Sequence, residues 1–241
     1  MTSCRRSLLA CIILSISGFL GLLPRAAAAE PAHLLWAEEL VDNITPALNE
    51  YEGSPHYITW AGVNGAVSYS NHTLCSGFLT ILLKQGQGWT DDDIELWLGT
   101  KGPSAATYYS AITAEDGFDL VSTVDDIEAG DIIAIRYPEG SHTSGHVAIA
   151  EGPAVLRTAT APLVSGTLQF ELAVIDSTQI GHGARDTRQN SDGTWQQGAG
   201  IGVMRLYTNS MLKVVGHTWS TASASSYRSK TRYSVAVGRL Q

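Results

Sequence analysis

The sequence predicts an α+β fold in which helices come first and an antiparallel sheet follows. Three observations carry that reading. A segment apolar on nearly every side of a helix starts at Cys75, and a helix of that kind is a buried one. Further helical segments flank it between His33 and Ile112, and after Gly130 the apolar period shortens to that of strands.

In chain order, Arg5 and Arg6 precede an apolar run from Leu8 to Leu23, and the small residues Ala26 to Ala29 follow. Basic, apolar and small residues in that order predict a cleaved signal peptide over 1–29. Gly18, Gly21 and Pro24 interrupt the run, whereas a bilayer span wants about 20 predominantly apolar residues. The exported part, 30–241, is expected as one domain, secreted or periplasmic, monomeric, and free of stable membrane insertion once the leader is removed.

His33 to Leu48 has amphipathic helical spacing, broken near Pro46. Tyr51 to Asn71 is rich in Gly, Ser and Asn and reads as loop, with a short ordered segment around Tyr57 to Trp60. The buried helix from Cys75 carries Phe78, Leu79, Ile81, Leu82 and Leu83, ends near Lys84 and Gly86, and has Thr73 or Asn71 as candidate caps. Thr90 to Asp93 has capping-box spacing before Ile94 to Leu98, and Pro103-Ser104 opens another helix carrying Tyr108, Tyr109 and Ile112.

Ile132 to Ile135 is a short apolar run of the buried-strand kind, Pro138 to Ser144 a turn, and His146 to Glu151 a second strand. Phe170 to Asp176, Val203 to Tyr207, Leu212 to Gly216 and Tyr233 to Val237 complete the strand pattern. The Gly-rich stretch Gly181 to Gly202, with Arg185, Arg188 and Trp195, reads either as a loop that grips a ligand or as an ordinary surface connection.

Lys and Arg number 15 and Asp and Glu 23, and three of the arginines fall in the leader, so the exported part has a formal charge of about −11. A surface that acidic argues against nucleic acid and anionic membranes as partners. Of three cysteines, Cys4 and Cys11 lie in the leader and only Cys75 is exported. It cannot form an internal disulfide, which leaves a reactive thiol or a small buried hydrophobe as its roles.

A cysteine attacks as its thiolate, and the first turn of a helix favours that form because unpaired N–H groups point at the sulfur. Cys75 has that position, with Ser76 and Gly77 after it, Gly77 being small enough to admit a neighbouring element. The base is expected to be His146, at the start of its strand. Ala148 and Ala150 share its face, and the two small side chains would leave room for the Cys75 helix there. A third group must orient the imidazole, and Asp176, ending an apolar strand at the rim of the sheet, is the candidate.

These residues carry a resemblance. Leu74-Cys75-Ser76-Gly77-Phe78 resembles the nucleophile motif of NlpC-type cell-wall peptidases. Gly130-Asp131-Ile132-Ile133 with Gly145 to Gly152 resembles the paired strands of that family and of CHAP-type amidases. Both groups belong to the papain-like superfamily, and the likeness spans roughly Tyr57 to Asp176.

The resemblance implies a nucleophile helix packed on an antiparallel sheet or half-barrel, and a cysteine peptidase or amidase without cofactor or metal. It implies Cys75, His146 and Asp176 as catalytic groups and Tyr57 as an assisting phenol. Ser76 and Gly145 would contact substrate, a peptide or peptidoglycan stem, and Arg185 and Trp195 would join them where the Gly-rich stretch grips the ligand. The chain departs from the pattern at Leu74, where an acidic residue usually stands, and in the insertion holding Thr90 to Asp126.

Two other classes remain open. A non-catalytic cell-envelope binding module would keep the fold without the chemistry. A metal-dependent hydrolase would draw ligands from His142, His146, His182, Asp186 and Asp176, but the spacing of His142 and His146 suits one helix face, and Pro138, Gly140 and Gly145 forbid a helix there.

Overall fold

The computed structural model describes residues 30–241; the predicted signal peptide, 1–29, lies outside the described residues. The chain is a mixed α/β protein with one large antiparallel sheet and a few helices. It opens with helix α1 (Ala32–Asn43), then a 3-10 turn at Pro46–Leu48, where the helical pattern breaks. Strands β1 (Asn49–Glu50), β2 (Tyr57–Thr59) and β3 (Ser70–His72) form a small separate sheet in the order β1-β3-β2. The ordered segment expected around Tyr57 is thus β2.

Helix α2 (Cys75–Gln87) follows directly. Its N-cap is Leu74, without a side-chain bond, because Thr73 and Asn71 are engaged elsewhere: the Thr73 hydroxyl donates to Asn71 Oδ1 at 2.6 Å. The helix also runs past Gly86, since the residue that adopts the left-handed turn is Gly88, at φ 70°, with its N–H on the Lys84 carbonyl. Helices α3 (Asp91–Leu98) and α4 (Ala105–Ala114) both start with the reciprocal capping box, at Thr90 and Ser104.

The remaining strands are β4 (Phe118–Leu120), β5 (Ile132–Arg136), β6 (Gly145–Ala150), β7 (Val155–Leu156), β8 (Leu168–Thr178), β9 (Gly198–Thr208), β10 (Val214–Thr218), β11 (Arg228–Ser229) and β12 (Ser234–Leu240). They pair in the order β11-β10-β9-β8-β6-β5-β12-β4, with β7 on β8. β9 begins at Gly198, five residues before the strand the sequence suggests there.

Both faces of the sheet are covered. Helices α1, α2 and α4 pack through Leu34, Phe78, Leu79 and Tyr108 onto Ile132, Val147 and Ile149. The other face holds a second core of Ile133, Ala148, Ala150, Phe170, Leu172 and Val174, with Met204 and Leu206. The helix therefore does not sit on Ala148 and Ala150, as the sequence suggested. It takes the odd-numbered face, and the alanines serve the second core, where the large side chains of β8 and β9 fill the space.

How α2 still reaches His146 follows from a split in the sheet. β6 and β8 pair only at Ile149–Ile175 and Ala150–Val174. Toward His146 and Asp176 the two strands diverge, while β8 continues its ladder with β9 through Thr178. The segment leading into α2 enters that gap, where Ser177 Oγ donates to the Thr73 carbonyl at 2.9 Å.

Candidate active site

The split brings Cys75, His146 and Asp176 together from three elements. Cys75 starts α2 and keeps 6% of its surface accessible; His146 keeps 7%. The imidazole hydrogen-bonds to the Cys75 sulfur, and the Val147 N–H reaches the same sulfur. His146 Nε2 donates to Asp176 Oδ2 at 2.6 Å, which leaves Nδ1 as the nitrogen that serves the thiol.

The electrostatics follow from those contacts. Burial pushes the Cys75 thiol up, but the His146 charge, its hydrogen bond and the Val147 N–H outweigh burial, so the thiol is held below its ordinary value. Burial disfavours the His146 imidazolium, yet the Cys75 charge and the Asp176 hydrogen bond raise it to about 10. Both shifts favour the thiolate and imidazolium forms of the pair.

Asp176 is fully buried and is not at a rim, because β8 runs two residues further. Its burial is opposed by the charges of His182 and Arg188 and by hydrogen bonds from both histidines, which together hold the carboxyl well below the usual carboxylate range. His182 Nε2 donates to Oδ2 at 2.9 Å, and Arg188 Nη1 to Oδ1 at 2.9 Å. The second ring nitrogen of His182, Nδ1, meets the Trp219 carbonyl at 2.7 Å. Both nitrogens thus face acceptors.

Arg188 is 2% exposed and is clamped in turn by Asp186, Nε on Oδ1 and Nη2 on Oδ2, each at 2.8 Å. His182, Asp186 and Arg188 all come from the stretch read as a surface loop. Of that reading only Arg185 and Trp195 stay exposed: Arg185 pairs with Glu171, and Trp195 packs against Gly181. Arg188 is an internal strut that no ligand can reach.

Sequence reasoning offered His182 and Asp186 only as metal ligands and Arg188 only as part of a loop, and missed that they brace Asp176, because the stretch has no period to read. One signal was present in Gly198-Ala199-Gly200-Ile201-Gly202. On β9, Gly200 lies opposite Asp176 and Gly202 opposite Val174. A Cβ on Gly200 would stand 2.8 Å from Arg188 Cγ, and one on Gly202 would stand 2.4 Å from His182 Cδ2. Glycine at alternate positions strips one side of the strand so that these two side chains can lie on it.

Tyr57 is not brought to the site. β2 pairs with β3, so its ring stacks on His72 at 5.0 Å on the outside of the small sheet, 46% exposed. The phenol at the sulfur is Tyr51, which follows β1. Glu50 of β1 holds the Thr73 N–H at 3.4 Å, and the chain then delivers Tyr51 to a hydrogen bond with Cys75. Burial, then the Cys75 and Asp176 charges, raise the Tyr51 phenol, so it stays protonated and can donate.

Gly145 packs against the Ile135 carbonyl, which a Cβ would approach to 1.9 Å; its place is structural. Ser76 is half-buried beside Cys75, and its carbonyl accepts the Thr80 hydroxyl at 2.7 Å. Gly77 does admit a neighbour, since the His56 ring occupies the space its Cβ would need. Of the suggested metal ligands, His142 stands on the exposed turn and Asp186 is occupied by Arg188. His146, Asp176 and His182 remain within 4.8 Å of one another. Their contacts have hydrogen-bond lengths around one carboxylate whose other oxygen holds a guanidinium, a set of proton donors about an anion.

His217 is fully buried with both ring nitrogens unpartnered. Burial, then the Arg228 and His146 charges, lower it to about 3, so it is neutral in the fold. An unfolded histidine takes its proton near pH ~6.5, so this group costs stability as pH falls from there toward about 3. His217→Phe is expected to gain stability over wild type below pH ~6. Urea midpoints at pH 5 and pH 8 check it; an equal difference at both would refute it.

The chain is 32% identical over 222 residues to the uncharacterized protein R653 of Acanthamoeba polyphaga mimivirus, a match covering 88% of this chain and 97% of that protein. No family model and no solved structure matches the chain.

Proposed function

The chain belongs to the same family as that mimivirus protein, and from the site it carries we propose that it is a papain-like cysteine peptidase or amidase with a Cys75-His146-Asp176 triad. The observation that carries the reading is the thiol at the start of a buried helix, lowered by an imidazole whose far nitrogen is fixed by a buried carboxylate. The resemblance to NlpC-type and CHAP-type enzymes adds peptide stems of the cell wall as the substrate, and export as the route to it.

In this mechanism the Cys75 thiolate attacks the amide carbonyl and the S–C bond forms. The backbone N–H of Cys75 and the Tyr51 hydroxyl donate to the oxyanion. His146 gives its proton to the leaving amine as the C–N bond breaks. Water, deprotonated by the now neutral imidazole, hydrolyses the thioester and restores thiolate and imidazolium. Asp176 holds the ring in the orientation both steps need.

Incubation with muramidase-digested peptidoglycan and with simple peptides is expected to yield fragment pairs whose summed mass exceeds the parent by one water. Intact substrates, together with a Cys75 that stays inert to iodoacetamide near neutral pH, would instead indicate a binding module.

A further inference from the structure

The sheet face that carries His146 also carries a ring of aromatic and basic groups with no part in the triad. Ile135 lies opposite His146 in the β5–β6 ladder, and Tyr137 follows on the same face. The Tyr137 ring meets Tyr233 edge-on at 5.5 Å, and the Arg228 guanidinium lies 4.6 Å over Tyr233. On the other side Arg228 faces His217 across the β10–β11 pair. His217 meets Trp219 at 5.0 Å, and Trp219 meets His146 at 5.0 Å. His217 and Trp219 therefore connect Arg228 to the catalytic imidazole through touching rings, and Tyr233 and Tyr137 flank the guanidinium on its other side.

Arg228 differs from Arg205, which also lacks a carboxylate but whose Nη1 and Nη2 donate to the Thr160, Ala161 and Ala222 carbonyls. Arg188 has two carboxylates, and Arg239 has Asp131 and Glu128. Arg228 is partly buried, its Nε has no partner, and among the described residues no carboxylate pairs with it. Its Nε is shut off from water, while Nη1 and Nη2 stay open to an anion from solvent. Next to it, fully buried His217 has no partner on either nitrogen. The chain has 23 acidic residues, yet none is placed to satisfy this cation.

We propose that Arg228 is the anion-recognition residue of the site, so that the amide substrate carries a carboxylate close to its scissile bond; this rests on the cysteine-hydrolase reading. The planar fork of an arginine matches a carboxylate with two parallel N–H bonds. Tyr233, under the fork, and Tyr137, beside it, supply a flat apolar wall between that anchor and the thiol. A substrate with a neutral amide at the same place would leave the guanidinium unpaired and bind less well.

The test uses the thiol as its reporter. Cys75 is alkylated with iodoacetate and with iodoacetamide near pH 7, mass spectrometry follows the adduct, and the rate ratio is normalised to glutathione. Wild type is expected to favour the anionic reagent, Arg228→Gln to lower the normalised ratio about fivefold or more, and Arg228→Lys to recover part of it. Equal ratios in wild type and Arg228→Gln overturn the proposal and leave the nucleophile standing. Wild-type Cys75 inert to both reagents overturns the hydrolase reading as well. A measurement on unmodified protein guards against a variant that does not fold: glutarate should protect Cys75 from iodoacetamide better than glutaramide does. Equal protection by the two counts against the proposal.

Discussion

Asp176→Ala is expected to cost about 3–5 kcal/mol of folding stability, the range for removing one partner of a buried charge cluster. Without that carboxylate, His182 loses its Nε2 acceptor, Arg188 loses the charged one of its Nη1 acceptors, and His146 loses the group that orients it. Arg188 would still be held by Asp186 and by the Gly198 carbonyl, but its buried charge and that of His182 would have lost the carboxylate between them. Against a total of ~5–15 kcal/mol for an ordinary domain, that is a large part of what keeps the chain folded.

The pH dependence gives the same variant a second signature. The folded carboxyl protonates well below the usual range, whereas an unfolded aspartate does so near ~3.9. Asp176 therefore contributes stability that is fully present above about pH 4. That contribution is lost as pH falls through the folded value, because between the two only the unfolded chain binds the proton. Guanidinium titrations from pH 7 down to pH 2 should show the wild-type midpoint falling toward that of Asp176→Ala. Parallel curves with a constant separation would show that the carboxylate is not the source.

Loss of either half of the ion pair is the other large effect. On the proposed mechanism Cys75→Ala should remove hydrolysis altogether, and His146→Ala should lower it by at least ~10³-fold, since residues that act as one unit each cost nearly the whole rate. Alkylation separates the two. In wild type the thiolate forms below the ordinary thiol range and keeps its imidazolium partner up to about pH 10. In His146→Ala, burial is no longer outweighed, the thiol moves up, and iodoacetamide labelling near pH 6 should slow about a hundredfold or more. Unchanged labelling in that variant would mean that the imidazole does not control the sulfur.

The parts of this site that periodicity could show were the ones on regular elements. Cys75 was visible because an all-round apolar helix begins at it, His146 because it opens an apolar strand, and Asp176 because it closes an apolar run. What alternation cannot say is which side of a strand a helix will cover. Val147 and Ile149 are as apolar as Ala148 and Ala150 are small, and both faces of β6 are buried, so the pattern suited either packing. The phenol was misplaced for a related reason. Tyr51 and Tyr57 flank one irregular turn, and only the β1–β3 pairing decides which is carried to the thiol. His182, Asp186 and Arg188 lay beyond any such reading, because a buried charge cluster supplied by a connection leaves no repeat in the chain.

The bare side of β9 has a further consequence. A strand with glycine at alternate positions has little of its own to pack, and each such glycine weakens it by about 0.5–1 kcal/mol against alanine. Gly200 and Gly202 acquire their cover only when Arg188 and His182 settle on them. This part of the sheet is thus completed by the same side chains that hold Asp176, so a change that loosens Arg188 or His182 would uncover β9 as well as free the carboxylate beside His146.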